Sequence, residues 1–155
     1  TGIYEASDLC SGGFKAGWLG QSAQNDLQWR DVYSTNGGDY KLTIAFISGE
    51  NRRISVSVNG ERVQTITSNS GGWQKVGKKV VNIRLQEGQN NIRLWNATGW
   101  MPDIDYIEIA PMASASVQSI EVEPQPSQVF DLLGRKTDRG KVSIVNGRKI
   151  MRQSR

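Results

Sequence analysis

The sequence predicts an all-β protein, an antiparallel β-sandwich, on three observations. Apolar residues recur with a period of two, the apolar stretches are short and end in Gly, Asn or Asp turns, and no segment of useful length carries a helical 3.6-residue period. Ile3-Tyr4-Glu5 opens the first strand, and Trp29, between Leu27 and Val32, lies in another and reads as core. Gly38-Asp39 turns the chain into Tyr40, Leu42, Ile44 and Phe46, which alternate with Lys41, Thr43 and Ala45. Ile54, Val56 and Val58 alternate with Ser55 and Ser57 and meet Asn59-Gly60, a strong hairpin signal, with Arg62 to Thr67 as the return strand. Val81, Ile83 and Leu85 alternate again, Gly88 turns the chain into Ile92-Arg93-Leu94, and Ile104 to Ile109 forms a last strand closed by Pro111.

The chain divides into three. Residues 1–111 form the sandwich, and residues 112–128 are small, polar and proline-bearing and read as a linker. Residues 129–155 carry a second, smaller pattern: Val129 to Leu133, Lys141 to Val145, Asn146-Gly147 and Lys149 to Met151. That is a short C-terminal β-hairpin segment with too few apolar residues for a core of its own, so it is expected to dock or to stay mobile.

Composition excludes several classes of chemistry. The 155 residues include no histidine, which removes Ser-His-Asp and Cys-His relays and His-ligated metals. A single cysteine, Cys10, leaves no intrachain disulfide. The net charge of +4 is confined to the tail, because residues 1–111 hold eleven basic and eleven acidic side chains. The sandwich therefore has no excess charge to offer phosphates, and no nucleic-acid partner is expected. No apolar run approaches the ~18 residues of a membrane span.

Five tryptophans supply the candidate chemistry. Trp18 lies in a glycine-flanked stretch, Trp73 follows Gly71-Gly72, and Trp100 sits between Gly99 and Met101-Pro102, all at loop-like positions. Trp95 is out of phase with Ile92 and Leu94 and should face away from them. A loop tryptophan can simply cover the end of a sandwich. An exposed indole is also a flat apolar plate matching the C–H face of a pyranose, worth about 1 kcal/mol per buried face.

Two carboxylates complete the candidate set. Asp105 shares parity with Ile107 and Ile109 and so points toward the core, where it needs either backbone amides or a cation. If the first and last strands pair, Glu5 is its natural co-ligand, and two carboxylates with carbonyl oxygens suit Ca²⁺. Asp103 precedes that strand, beside Trp100, where a ligand-binding role fits. Asp103 and Asp105 as a glycosidase acid and base are disfavoured, since their spacing puts one at the loop and one at the core.

An ordered series of motifs carries a resemblance. Ile3-Tyr-Glu-Ala6, Cys10-Ser-Gly-Gly13, Ala16-Gly-Trp-Leu-Gly20, Gly38-Asp-Tyr-Lys-Leu42, Val56-Ser-Val-Asn-Gly60, Gly71-Gly-Trp73, Leu85-Gln-Glu-Gly-Gln-Asn90 and Trp100-Met-Pro-Asp-Ile-Asp-Tyr106 resemble the family 35 carbohydrate-binding modules, relatives of family 6. The Cys-Ser-Gly-Gly and Trp-Met-Pro-Asp-Ile-Asp segments look most like modules appended to α-galactosidase-type glycoside hydrolases. The resemblance implies a jelly-roll, galactose-binding-domain-like sandwich that binds sugar at its loop end. Trp18 and Trp73 fall where the family places facing stacking aromatics, with Asp103 at a position that often holds Asn, and Trp100 is expected to join them. The family's structural calcium site would map to Glu5 and Asp105, although the second acidic position of the usual Tyr-Glu-Ala-Glu opening is Ser7 here.

Val129-Phe-Asp-Leu-Leu-Gly-Arg-Lys136 and Gly140-Lys-Val-Ser-Ile-Val-Asn-Gly-Arg-Lys-Ile150 resemble the C-terminal sorting regions of secreted Bacteroidetes proteins. That implies an extracellular, cell-surface or periplasmic location. Together these features predict a non-catalytic module that binds a polysaccharide or oligosaccharide, with galactose-containing glycans favoured, and targets a catalytic glycoside hydrolase domain of the same chain. The alternative is a sandwich that packs on its catalytic domain without binding sugar.

Overall fold

In the computed structural model, residues 1–112 are described in full, together with the backbones of three short strands beyond them. Nine strands build the main body: β1 (Ile3–Ala6), β2 (Phe14–Gly17), β3 (Gly20–Ser34), β4 (Gly38–Ser48), β5 (Arg52–Val58), β6 (Glu61–Ser68), β7 (Gly72–Leu85), β8 (Gly88–Trp100) and β9 (Asp103–Pro111). They form two antiparallel sheets, one in the order β1-β2-β9-β4-β7 and the other β3-β8-β5-β6. The described residues contain no helix long and apolar enough to cross a membrane.

The alternation seen in the sequence sets the inner faces. Leu42, Ile44 and Phe46 of β4, Val81, Ile83 and Leu85 of β7, and Ile107 and Ile109 of β9 meet Ile54, Val56 and Val58 of β5 and Ile92 and Leu94 of β8 in one buried cluster. Trp29 of β3 joins it, 4% exposed, as its phase predicts. Trp95 faces the other way, its ring flanked by the guanidinium groups of Arg62 and Arg93. Asn59 and Gly60 both take positive φ, 53° and 86°, the primed turn that two-residue hairpins require. β5 and β6 accordingly pair from Val58↔Glu61 to Arg52↔Ser68.

The alternation fails at one place in β9. Ala45 pairs with Tyr106 while Phe46 pairs with Ile104, so Asp105 is an extra residue in a β-bulge. The bulge lets Ile104 and Ile107, of opposite parity, both point into the core. Asp105 is buried for a different reason than strand parity: the 7–13 loop covers it, and Ser11 donates to its Oδ1 from the backbone N–H at 3.0 Å and from the hydroxyl at 3.1 Å.

Beyond Met112 three strands are described: β10 (Gln128–Phe130), β11 (Ile144–Val145) and β12 (Arg148–Lys149). β10 pairs antiparallel with β9, Gln128↔Ile109 to Phe130↔Ile107, along the stretch of that edge that β2, which meets β9 at Ile104, leaves bare. β11 and β12 pair across Asn146-Gly147, as the hairpin signal there predicts. The linker expected over 112–128 falls, apart from its end residues, outside the described residues, as does most of the 129–155 segment.

Candidate functional site

The candidate site lies at the end of the sandwich where β4 finishes and β9 begins, and it draws on both sheets. A cavity of about 430 Å³ is lined by Glu5, Lys15, Trp18, Arg52, Trp73, Trp100 and Asp103. That volume falls within the roughly 300–1,000 Å³ range of small-molecule sites. A larger hollow of about 850 Å³ lies at the opposite end, around Gly38, Asn59 and Gln86, but no aromatic side chain lines it. Without a flat apolar face it lacks the stacking chemistry of the first.

Each wall is placed by local backbone chemistry. Trp18 stands between β2 and β3 with φ at 56°, a left-handed conformation unusual for a large residue. Asn25 fixes that turn: its Nδ2 donates to the carbonyls of Trp18 at 2.8 Å and Gly20 at 2.9 Å, while its Oδ1 accepts from the Gly2 N–H at 2.6 Å. Gly20 permits the next step, because a Cβ there would lie 2.3 Å from the Gly99 carbonyl oxygen. The close approach brings Trp100, at the end of β8, edge-on to Trp18, ring centroids 5.7 Å apart and planes at 86°.

Trp73 enters from β7 after the Gly71-Gly72 turn. Ser70 seats that turn, its hydroxyl accepting from the Ser48 N–H at 2.9 Å and its own N–H donating to the Ser48 carbonyl at 2.9 Å. The indole packs on Gly49, where a Cβ would come within 2.4 Å of Nε1. Arg52, at the start of β5, lays its guanidinium over the same ring, 4.7 Å from the centroid. Arg52 is itself fixed by donating to the Met101 carbonyl at 3.0 Å and to Glu50 Oε1 at 2.8 Å.

The polar floor is an ion-pair group. Lys15 of β2 donates to Asp103 Oδ2 at 2.6 Å and stands 3.6 Å from Glu5 Oε2. The hydrogen bond to Asp103, with the charges of Asp103 and Glu5, raises the Lys15 ammonium above its ordinary pKa despite partial burial. Gly17 keeps the floor open, since a Cβ there would sit 3.1 Å from Glu5 Oε2 and 3.2 Å from Asp103 Oδ1. The Trp18 indole N–H reaches Glu5 Oε1 at 3.4 Å.

The structure thus brings Trp18, Trp73, Trp100 and Asp103 around one cavity. It places Trp73 and Trp100 inside strand termini rather than in loops, and Asp103 as the first, buried residue of β9. Lys15 and Arg52 escaped the sequence reading because nothing in a lone surface-type cation marks it as part of a site. The only available signals were the strand positions opposite Glu5 and before the Ile54 alternation.

The expectation that Glu5 and Asp105 share a calcium ion rests in part on strand order. It required β1 to pair with the last strand, but β1 pairs with β2, and β2 stands between it and β9. Glu5 spends its carboxylate on Lys15 and Trp18, and Asp105 accepts from Ser11. Burial raises the Asp105 carboxyl above its ordinary pKa, with the Ser11 hydrogen bonds opposing the shift.

A two-sheet antiparallel sandwich with tryptophans and paired polar groups at one end is the architecture of a binding module. The chain is 31% identical to a family 35 carbohydrate-binding module from Clostridium thermocellum, covering 72% of this chain and 88% of that one at a TM-score of 0.68, and it belongs to the family 35 carbohydrate-binding modules. It is also similar, at 27% identity, to part of an exo-β-1,3-galactanase from Phanerochaete chrysosporium solved with β-1,3-galactotriose, with a TM-score of 0.64 and coverage of 70% of this chain but only 26% of that one. A family 35 module from Cellvibrio japonicus shares the fold at 23% identity, with a TM-score of 0.64 and coverage of 71% and 83%. No family model matches the sequence, and no curated protein does.

Proposed function

We propose that the cavity bounded by Trp18, Trp73 and Trp100 is the sugar site, and that the module holds an attached glycoside hydrolase on a polysaccharide outside the cytoplasm. The observation that carries this proposal is the convergence of three half-exposed indoles, from the β2–β3 turn, β7 and β8, on one floor of paired carboxylates and ammonium. Apolar plates beside fixed donors and acceptors suit a pyranose ring, whose C–H face stacks while its hydroxyls exchange hydrogen bonds. A galactose-containing glycan is supported by the likeness to the fungal galactanase, and the attached enzyme by the fact that the likeness spans a quarter of that chain.

The test is affinity electrophoresis of the wild-type chain and of Trp18→Ala and Trp100→Ala in gels containing a panel of polysaccharides. Retention of the wild type by at least one polymer, lost in both variants while their melting curves stay cooperative, is the expected result. Unchanged retention in both variants removes the site assignment.

A further inference from the structure

We propose that this site takes uncharged glycosyl residues and rejects uronates, because every cation in the cavity is already committed to a carboxylate of the protein. The inference rests on the sugar-site proposal and specifies its ligand class.

Lys15 has three N–H donors; one goes to Asp103 at 2.6 Å and another faces Glu5 at 3.6 Å. Arg52 turns Nε and Nη2 toward Glu50, at 2.8 and 2.7 Å, and Nη1 toward the Met101 carbonyl. Its planar fork, the part of an arginine that grips carboxylates, is therefore occupied, and its face lies on Trp73. The lining side chains and their ion-pair partners comprise Glu5, Glu50 and Asp103 against Lys15 and Arg52, one negative charge in excess. A uronate entering here meets no cation among the described lining residues whose charge is not already balanced by a protein carboxylate, and it must be desolvated against the negative excess.

A neutral sugar meets complementary groups. Lys15 retains a donor, Asp103 Oδ1 and the Glu5 carboxylate retain acceptor capacity, and the Trp18 indole N–H lies beside them. A hydroxyl both donates and accepts, so it can bridge this alternation without leaving a buried group unpaired.

Affinity electrophoresis of the full chain tests the proposal at pH 7, with galactan, mannan, xylan and β-glucan as neutral polymers and polygalacturonan and alginate as polyuronates. Retention by at least one neutral polymer and by neither polyuronate is expected. Retention by a polyuronate overturns the inference and leaves the sugar site standing, whereas retention by none of the six overturns both. Glu50→Ala supplies the second test, because Glu50 is exposed and the change removes the carboxylate from the Arg52 fork without touching the floor. It should raise polygalacturonan affinity about tenfold, equivalent to ~1.4 kcal/mol. No gain in that variant refutes the committed-cation explanation.

Discussion

Replacing Trp18 separates two things that this residue does. Trp18 is 56% exposed, so folding buries a little under half of the roughly 250 Å² such a residue offers. At about 25 cal/mol per Å² that burial contributes roughly 2.5 kcal/mol, with the edge contact on Trp100 adding about 0.5–1.5 kcal/mol. Against this stands the left-handed backbone, φ 56°, which costs a residue with a Cβ about 1–2 kcal/mol. Trp18→Ala loses the contacts and keeps the strain, whereas Trp18→Gly loses the contacts and relieves it. Trp18→Gly should therefore be the more stable variant by about 1 kcal/mol, the reverse of the usual Ala–Gly order. Urea unfolding at constant m-value measures the difference, and both variants should lose polysaccharide retention. A Trp18→Ala protein as stable as Trp18→Gly would refute the backbone reasoning.

Gly49→Ala should push the Trp73 indole off its seat, cutting polysaccharide affinity at least tenfold while moving Tm by only a few degrees, because the Cβ collides with a side chain rather than with backbone. Asp105→Asn should leave stability at pH 7 unchanged or higher, since its carbonyl oxygen still accepts from Ser11 and no charge is buried; Asp105→Ala should cost about 1–3 kcal/mol by orphaning the Ser11 N–H. The raised Asp105 carboxyl binds its proton more tightly in the folded state, so its contribution is most favourable below the ordinary value of 3.8 and is lost as pH rises through the raised one. Unfolding of Asp105→Asn and wild type between pH 3 and 7 checks this: the wild type should lose ground as pH rises. Lys15 is also raised, so its ion pairs contribute fully below 10.5 and fade as pH climbs through the higher folded value. Lys15→Met should accordingly be the less stable protein at pH 8, with the deficit vanishing in strong alkali. Truncation after Met112 uncovers the β9 edge at Ile107–Ile109; a lower Tm and self-association by light scattering are expected, and an unchanged monomer would show that β10 adds nothing.

The sandwich was legible because burial on one face writes itself into a period of two, and Leu42-Ile44-Phe46 or Ile54-Val56-Val58 have no other simple explanation. Trp18, Trp73 and Trp100 were legible as exceptions to that period, each beside a glycine. Asp105 shows where parity stops working: one inserted residue reverses the facing of everything beyond it, and sequence alone does not mark a bulge. The expected pairing of the first and last strands was not met because neighbour order within a sheet depends on which strand intervenes, here the four residues of β2, too short to announce themselves. Lys15 and Arg52 acquire meaning only through partners 88 and 49 residues away, Asp103 and Met101.

The candidate site draws Glu5, Lys15, Trp73 and Asp103 from one sheet and Arg52 and Trp100 from the other. A glycan seated there would bridge the two sheets at the open end of the sandwich. Parting the two sheets would then cost the contacts that the glycan makes with both. Free glycan at a hundred times Kd would therefore add about 2.7 kcal/mol to the opening of the whole body rather than of one loop. Amide exchange in β4 and in β8 should slow by the same factor, and an enzyme tethered to its polymer would carry a module harder to digest than the same module adrift.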